Sequence, residues 1–408
     1  MHGFHPGRSR NGGRHLRAIL ASRGRQNRPS HLAPPQGGAL DDVAVVGAGF
    51  AGLACARSAA LRGLGVTLLE RKRWIGVATH TTGLLVKEAA EDWEVPLRLT
   101  RKILGVRLYA PSLRAVDLES PGYYFLATDT PALLRWFARN AQHAGVRIIG
   151  GASFCGARRV DDSWRLEGLP TRARYLVGAD GPRSSVASAL GLGINREFLA
   201  GVEAALDGVQ GVAPDRLHCF VDSELAPGYI GWVVPGVGAT TQVGLACRRP
   251  HRPDLTAFVR KIGALFDFSS ARIIERRGGL IPVGGPVRPM AAPGALLIGD
   301  AAGLVSPLTA GGIHTALESG WRAAHAIADH LLDSGRDPGE SAIRSSPTFF
   351  WKGLGRRLFD LPVPNALFDV AIRSTMLRVV ARLIYFHKRG ALSARAWREI
   401  WQVERARA

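Results

Sequence analysis

The first feature that calls for a chemical explanation is an acid at the end of an apolar run. Leu296-Leu297-Ile298 leads into Gly299-Asp300, and small residues follow until a helical pattern resumes near Ile313. A carboxylate in such a place is costly unless something polar needs it. Glycines let a backbone approach a ligand closely. A helix beginning near Ile313 aims its free N–H groups and the positive end of its dipole back at that ligand. The stretch reads as a clamp on an anionic or electron-rich cofactor, with Gly299, Asp300, Ala301, Gly311, Gly312 and Ile313 as its contacts.

The other half of the clamp lies near the front of the chain. Val43–Val46 is an apolar strand run, and Gly47-Ala48-Gly49-Phe50-Ala51-Gly52 fits G-x-G-x-x-G. A helical stretch follows to Arg62, then a second strand run, Val66–Leu69, closes on Glu70-Arg71, eighteen residues beyond Gly52. This is the order and spacing of a dinucleotide-binding βαβ unit. In that unit Gly47 permits the tight turn, Gly49 admits a pyrophosphate, and Gly52 lets helix and strand pack. Glu70 accepts from the adenosine ribose hydroxyls and repels an added 2′-phosphate. The motif alone does not separate FAD from NAD.

Two later stretches separate them. "RYLVGADGPRSS" carries a strand to Val177, then Asp180-Gly181, then a helix start at Ser184 or Ser185; "LLIGDAAG" is the opening stretch. This order resembles flavoproteins of the p-hydroxybenzoate hydroxylase fold. The resemblance implies FAD, with the first motif on its ADP part. It also implies Asp300 on the ribityl and pyrophosphate region, and the helix start facing the flavin ring.

Within that fold, "PLTAGGIHTALESG" and Gly303 resemble the geranylgeranyl reductase family, over roughly Asp42 to Leu331. The family's Tyr-x-Trp-x-Phe-Pro stretch is matched by Trp232 and Pro235, with Gly244 beyond. Ile230 stands at the Tyr position and Tyr229 one residue early; strand alternation predicts that the two do not both face the flavin. Where members place a Cys beside the flavin, this chain has His80-Thr81-Thr82-Gly83; where they open a helix with Asp-Arg, Thr130 follows Asp129. The resemblance implies reduction of isoprenoid double bonds by hydride from reduced FAD. Trp232, Tyr229 and His80 are the candidate catalytic residues. The electron source, NADPH, NADH or another external donor, is not written in the sequence. The alternatives are an FAD monooxygenase acting on an aromatic or quinone-like substrate, and a flavoprotein whose basic tails recruit a partner.

These residues require an α/β fold: a Rossmann-like FAD-binding domain interleaved with a sheet-rich substrate domain. The expected division is a disordered basic tail to residue 40, FAD-binding segments 41–194 and 286–335, a substrate block 195–285, and a linker with a basic amphipathic helical region over 336–408. The linker spans about 330–347. In the C-terminal helix, Ile372, Met376, Val379, Val380 and Leu383 form one stripe and Arg378, Arg382 and Arg389 another face. The stripe suits the protein's own core or an anionic membrane surface.

The net charge of +20 is concentrated at the ends: residues 1–40 hold seven Arg and no acid, and residues 349–408 hold twelve Lys or Arg against four acids. The centre is close to ordinary, which weighs against nucleic acid as a partner. Four scattered cysteines, Cys55, Cys155, Cys219 and Cys247, indicate a reducing compartment and no zinc site. No apolar run reaches the ~18 residues of a membrane span. A cytoplasmic protein is expected, with an apolar small-molecule substrate and, as the further option, a peripheral contact on the inner face of a membrane.

Overall fold

The computed structural model describes residues 40–333 and 335–386; the basic tail and Arg389 lie outside them. Strand Leu40–Val46 is the centre of an eight-stranded sheet and pairs in parallel with Val66–Glu70 on one side and Arg172–Gly178 on the other. Arg147–Gly150 and Ala295–Leu297 extend the parallel array outward. These strands are runs of Val, Leu, Ile and Ala because both faces are covered: Val43, Ala44, Val45, Leu176 and Val177 are fully buried. Helix Phe50–Leu61 makes the first crossover and packs along helix Ile313–Asp333. Helix Thr130–His143 begins at Asp129, whose carboxylate accepts from the Ala132 N–H at 3.1 Å. Strands Leu84–Val86, Phe125–Thr128 and Thr100–Ile103 form a small antiparallel sheet.

The second large sheet has seven strands. Arg272–Pro282, Phe198–Asp207, Thr240–Arg248, Ile230–Pro235 and Arg216–Val221 follow one another in space, all antiparallel. Gly105–Tyr109 and Ala115–Glu119, from well before residue 195, complete it, the former pairing in parallel with Arg216–Val221. One face buries Val233, Val243 and Leu245 under Phe258 and Ile262 of helix Leu255–Ile262.

The seven-stranded sheet takes two strands from the segment expected to be FAD-binding, because Gly105–Tyr109 pairs with Arg216–Val221, and two further features differ from the sequence reading. The stretch expected as a linker contains helix Pro338–Ser345, whose N-cap Asp337 accepts from the Gly339 and Glu340 N–H groups at 2.8 and 3.2 Å. Asp-Pro-Gly-Glu is a helix start with Pro in the first turn rather than a turn within a linker. The C-terminal stripe is rotated and its helix interrupted. Helices Asn365–Ala371 and Thr375–Phe386 are separate, so Ile372 belongs to the junction. Val379, Arg382, Leu383 and Phe386 are buried, whereas Met376 is 75 % exposed and Val380 also faces outward. Phe386 packs edge-on against Tyr123 and tilted against Phe125, and this aromatic anchor sets the helix's rotation.

Candidate functional site

The glycine turn is built as the βαβ reading requires. Gly47 has φ +105°, and a Cβ there would overlap the Ala179 carbonyl, so only glycine lets the 47–52 turn meet the end of strand Arg172–Gly178. A Cβ at Gly52 would overlap the Gly47 carbonyl. A Cβ at Gly49 would meet only open space. The helix that starts there has no side-chain cap and no acid in its first turn, so open space meets uncapped N–H groups, the setting a pyrophosphate fits. Glu70 closes the turn: Oε2 accepts from the Ala48 N–H and Oε1 from the Lys72 N–H, each at 2.9 Å. Arg71 is exposed and stands outside the cavity wall.

The second motif divides its labour. The Asp180 carboxylate accepts from Ser184 Oγ and the Ser185 N–H, both at 2.6 Å, and so holds the start of helix Ser185–Ala189. Ala179 and Gly181 border the cavity instead of Asp180. Asn195, which the motif reading missed, donates to the Pro182 and Asp300 carbonyls at 3.1 and 2.8 Å and ties the two Gly-Asp segments together.

Asp300 lies on the cavity floor with Gly311, Gly312 and Ile313, the first residue of helix Ile313–Asp333. Gly299 and Ala301 are buried behind it. Its side-chain oxygens find no hydrogen-bond donor among the described residues, and burial pushes its carboxyl up to about 6. The Thr309 hydroxyl, in the same wall, is also buried without a partner. A carboxylate and a hydroxyl left this way fit the hydroxyl-bearing chain of FAD, which would satisfy both. With the open cradle at Gly49, the residues present fit FAD.

One cavity of about 440 Å³ joins this end to the second sheet. Ile230, Trp232 and Val234, alternate residues of one strand, line it, as do Leu217, Phe125 and, from the C-terminal helix, Ile384 and Tyr385. Tyr229 lines it as well. The strand begins at Ile230, so Tyr229 precedes the alternating backbone and both residues border the cavity, contrary to the alternation argument. The Tyr229 hydroxyl donates to the Thr309 carbonyl at 2.6 Å, and burial raises its pKa far above the ordinary range. His80 is at the exposed rim, with Nδ1 2.8 Å from the Gly278 carbonyl oxygen.

Sequence reasoning missed the polar group in this wall. Glu203, 5 % exposed, accepts on Oε2 from Thr82 Oγ1 at 2.6 Å and from the Trp232 indole N–H at 2.8 Å. Arg277 Nη1 is 3.4 Å from its Oε1. Burial pushes the Glu203 carboxyl up, and the hydrogen bonds from Thr82 and Trp232 oppose this. Its signal was an acid in the middle of a strand, "FLAGVEAALD", whose only other acid is the terminal Asp207.

The FAD dependent oxidoreductase family model matches residues 42–131. Digeranylgeranylglycerophospholipid reductase 2 of Methanopyrus kandleri is 31 % identical over 318 residues, 71 % of this chain and 77 % of the relative. The enzyme of the same name from Methanosphaera stadtmanae is 29 % identical, over 72 % of this chain and 79 % of the relative. Among solved structures, a geranylgeranyl bacteriochlorophyll reductase-like protein from Thermoplasma acidophilum superposes with TM-score 0.75 at 20 % identity, covering 88 % of this chain and 95 % of its own. This chain belongs to the digeranylgeranylglycerophospholipid reductase family of FAD-dependent oxidoreductases.

Proposed function

We propose that this enzyme saturates carbon–carbon double bonds of an isoprenoid lipid. One observation carries the reading: the cradle at Gly49 and Asp300 and the apolar wall of Trp232, Val234, Leu217, Phe125 and Ile384 belong to the same cavity. Glu203 is the buried acid of this wall, and Thr82, Trp232 and Arg277 engage it, while the Tyr229 hydroxyl is committed to the Thr309 carbonyl. When bound, FAD supplies the hydride. The chain does the rest. Gly47, Gly49, Gly52 and the N–H groups that follow would hold the pyrophosphate, and Glu70 keeps the turn in shape through Ala48. Asp300, Gly311, Gly312 and Ile313 would hold the far end, with Ala179 and Gly181 beside it. Trp232 and the aliphatic wall would hold the alkene against the reacting face and exclude water, so that positioning supplies much of the rate. The reductant is an external donor such as NADPH or NADH.

The domain division follows from this reading. The parallel sheet and its helices serve the cofactor; the seven-stranded sheet, with its two strands from 105–119, serves the substrate. Peripheral membrane contact also belongs to the proposal, since the relatives are named for lipid substrates. No helix among the described residues is long and apolar enough to cross a membrane. Helix Phe350–Phe359 leaves Phe350, Trp351, Leu354 and Leu358 exposed, with Arg357 among them, the composition of a helix that lies in a lipid interface.

The test is a lipid comparison between cells with active protein and cells with the Trp232→Ala variant. Gains of two hydrogens per double bond in prenyl lipids, confined to the active protein, support the reading. Unchanged prenyl chains, with oxygen added to an aromatic compound instead, refute it in favour of a monooxygenase.

A further inference from the structure

Saturating an alkene needs a proton as well as a hydride, and the cavity wall contains one group built to give it. The two oxygens of Glu203 are treated differently. Oε2 accepts two good hydrogen bonds, from Thr82 at 2.6 Å and Trp232 at 2.8 Å. Oε1 has only Arg277, at 3.4 Å. That guanidinium is already gripped by Glu275, through Nε at 2.9 Å and Nη2 at 2.8 Å. An Arg matched by one carboxylate neutralises a second only in part, and a buried carboxyl without a full counter-charge favours its neutral form. Two donors on Oε2 make it the carbonyl oxygen and leave Oε1 to carry the hydrogen. Of the other acids and bases of the wall, the Tyr229 hydroxyl is committed to the Thr309 carbonyl, the buried Tyr385 hydroxyl is paired with Cys219, Asp300 lies at the cofactor end with Gly311 and Gly312, and His80 sits at the exposed rim against the Gly278 carbonyl.

We infer that Glu203 is a catalytic acid of this reductase, donating its Oε1 proton to the substrate. The inference rests on the isoprenoid-reductase reading above. In the step, the C=C π bond breaks; one carbon gains a C–H bond with the hydride from reduced FAD, and its neighbour gains a C–H bond with the proton as the Oε1–H bond breaks. The alkene is reduced by two electrons and the flavin oxidised by two. The carboxylate left behind is held by Thr82, Trp232 and Arg277 until water returns a proton. Trp232 then has two tasks, wall and hydrogen-bond donor, which accounts for an indole at a position where any large apolar residue would fill the space. The charged groups packed around Glu203 are Arg277 and Glu275, both on strand Arg272–Pro282, and the Glu275 charge acts in the same direction as burial.

Glu203→Gln keeps an oxygen for Thr82 and Trp232, puts a non-acidic N–H in place of the acidic proton, and gives up the long contact of Oε1 with Arg277. In the purified flavin-loaded protein, the variant is expected to keep its flavin and its KM for a geranylgeranyl lipid while kcat falls about 10²–10⁴-fold. Wild-type kcat should decline as pH rises and Glu203 ionises, and the residual rate of the variant should lack that limb. A second readout needs no turnover: an infrared pH titration of the same proteins should show a protonated-carboxyl C=O band at neutral pH in wild type that Glu203→Gln lacks. A variant with kcat within about 3-fold of wild type overturns the proposal. So does the absence of that band. If wild type saturates no prenyl lipid, the functional reading fails separately, and the infrared band still decides whether Glu203 holds a proton to give.

Discussion

Replacing Asp300 by Asn should stabilise the protein and weaken its cofactor binding. The carboxylate lies on a cavity floor with no donor beside it among the described residues, and burial lifts its pKa from the ordinary 3.8 to about 6. At 1.36 kcal/mol per pH unit, that rise corresponds to about 3 kcal/mol of penalty on the folded state. Water entering a flavin-free cavity screens the charge, so ~1–3 kcal/mol is the expected effect. The sign follows from proton binding. Between about pH 4 and 6 the folded protein retains a proton that the unfolded chain has released. The penalty is therefore absent below about pH 4, grows through that window and is complete above it. Denaturant unfolding of flavin-free wild type and Asp300→Asn should show the variant more stable at pH 8 and equal at pH 4. With FAD the order reverses, because Asn cannot offer charge-assisted bonds to the cofactor's hydroxyls, and affinity should fall about 10–100-fold. A variant no more stable than wild type at pH 8, or one whose advantage persists unchanged at pH 4, would refute the reasoning.

Other outcomes follow from the same geometry. Glu70→Ala releases the Ala48 N–H and loosens the glycine turn, so FAD affinity measured by titration should weaken by ~1–3 kcal/mol. A Cβ at Gly320 would overlap the Ala51 carbonyl between two helices, so Gly320→Val should lower unfolding stability by at least ~1–3 kcal/mol and release flavin with it. Trp232→Ala should leave flavin content unchanged while reduction of a long-chain alkene drops on the order of 10²-fold in steady-state assays. Trp351→Ser with Leu354→Ser should reduce sedimentation with anionic vesicles without altering turnover of a detergent-dispersed substrate.

Local chemistry was the legible part of this sequence. The glycine turn, the acid at Glu70 and the strand–loop–helix around Asp300 are short-range patterns, because each is fixed by sterics within about twenty residues of chain. What could not be read depends on contacts distant in sequence. Gly105–Tyr109 and Ala115–Glu119 look like part of the cofactor domain, yet Gly105–Tyr109 pairs with the strand that starts at Arg216 and carries Ala115–Glu119 with it at the sheet's edge. Glu203 gains meaning only when Thr82, Trp232 and Arg277 converge on it from three other segments. The C-terminal helix was misread in rotation for a similar reason. Periodicity offers several apolar stripes, and the aromatic cluster of Tyr123, Phe125 and Phe386 selects the one that buries Arg382 and exposes Met376. That rotation also brings Ile384 and Tyr385 to the cavity.

The central claim is that one cavity joins FAD to a prenyl chain. The most direct test supplies the purified, flavin-loaded protein with a chemical reductant and a geranylgeranyl lipid under strictly anaerobic conditions, and weighs the product by mass spectrometry. Stepwise gains of two hydrogens per double bond are expected, with one two-electron equivalent of reductant consumed for each. An unchanged lipid under those conditions, together with oxygen-dependent hydroxylation of an aromatic substrate in air, would contradict it.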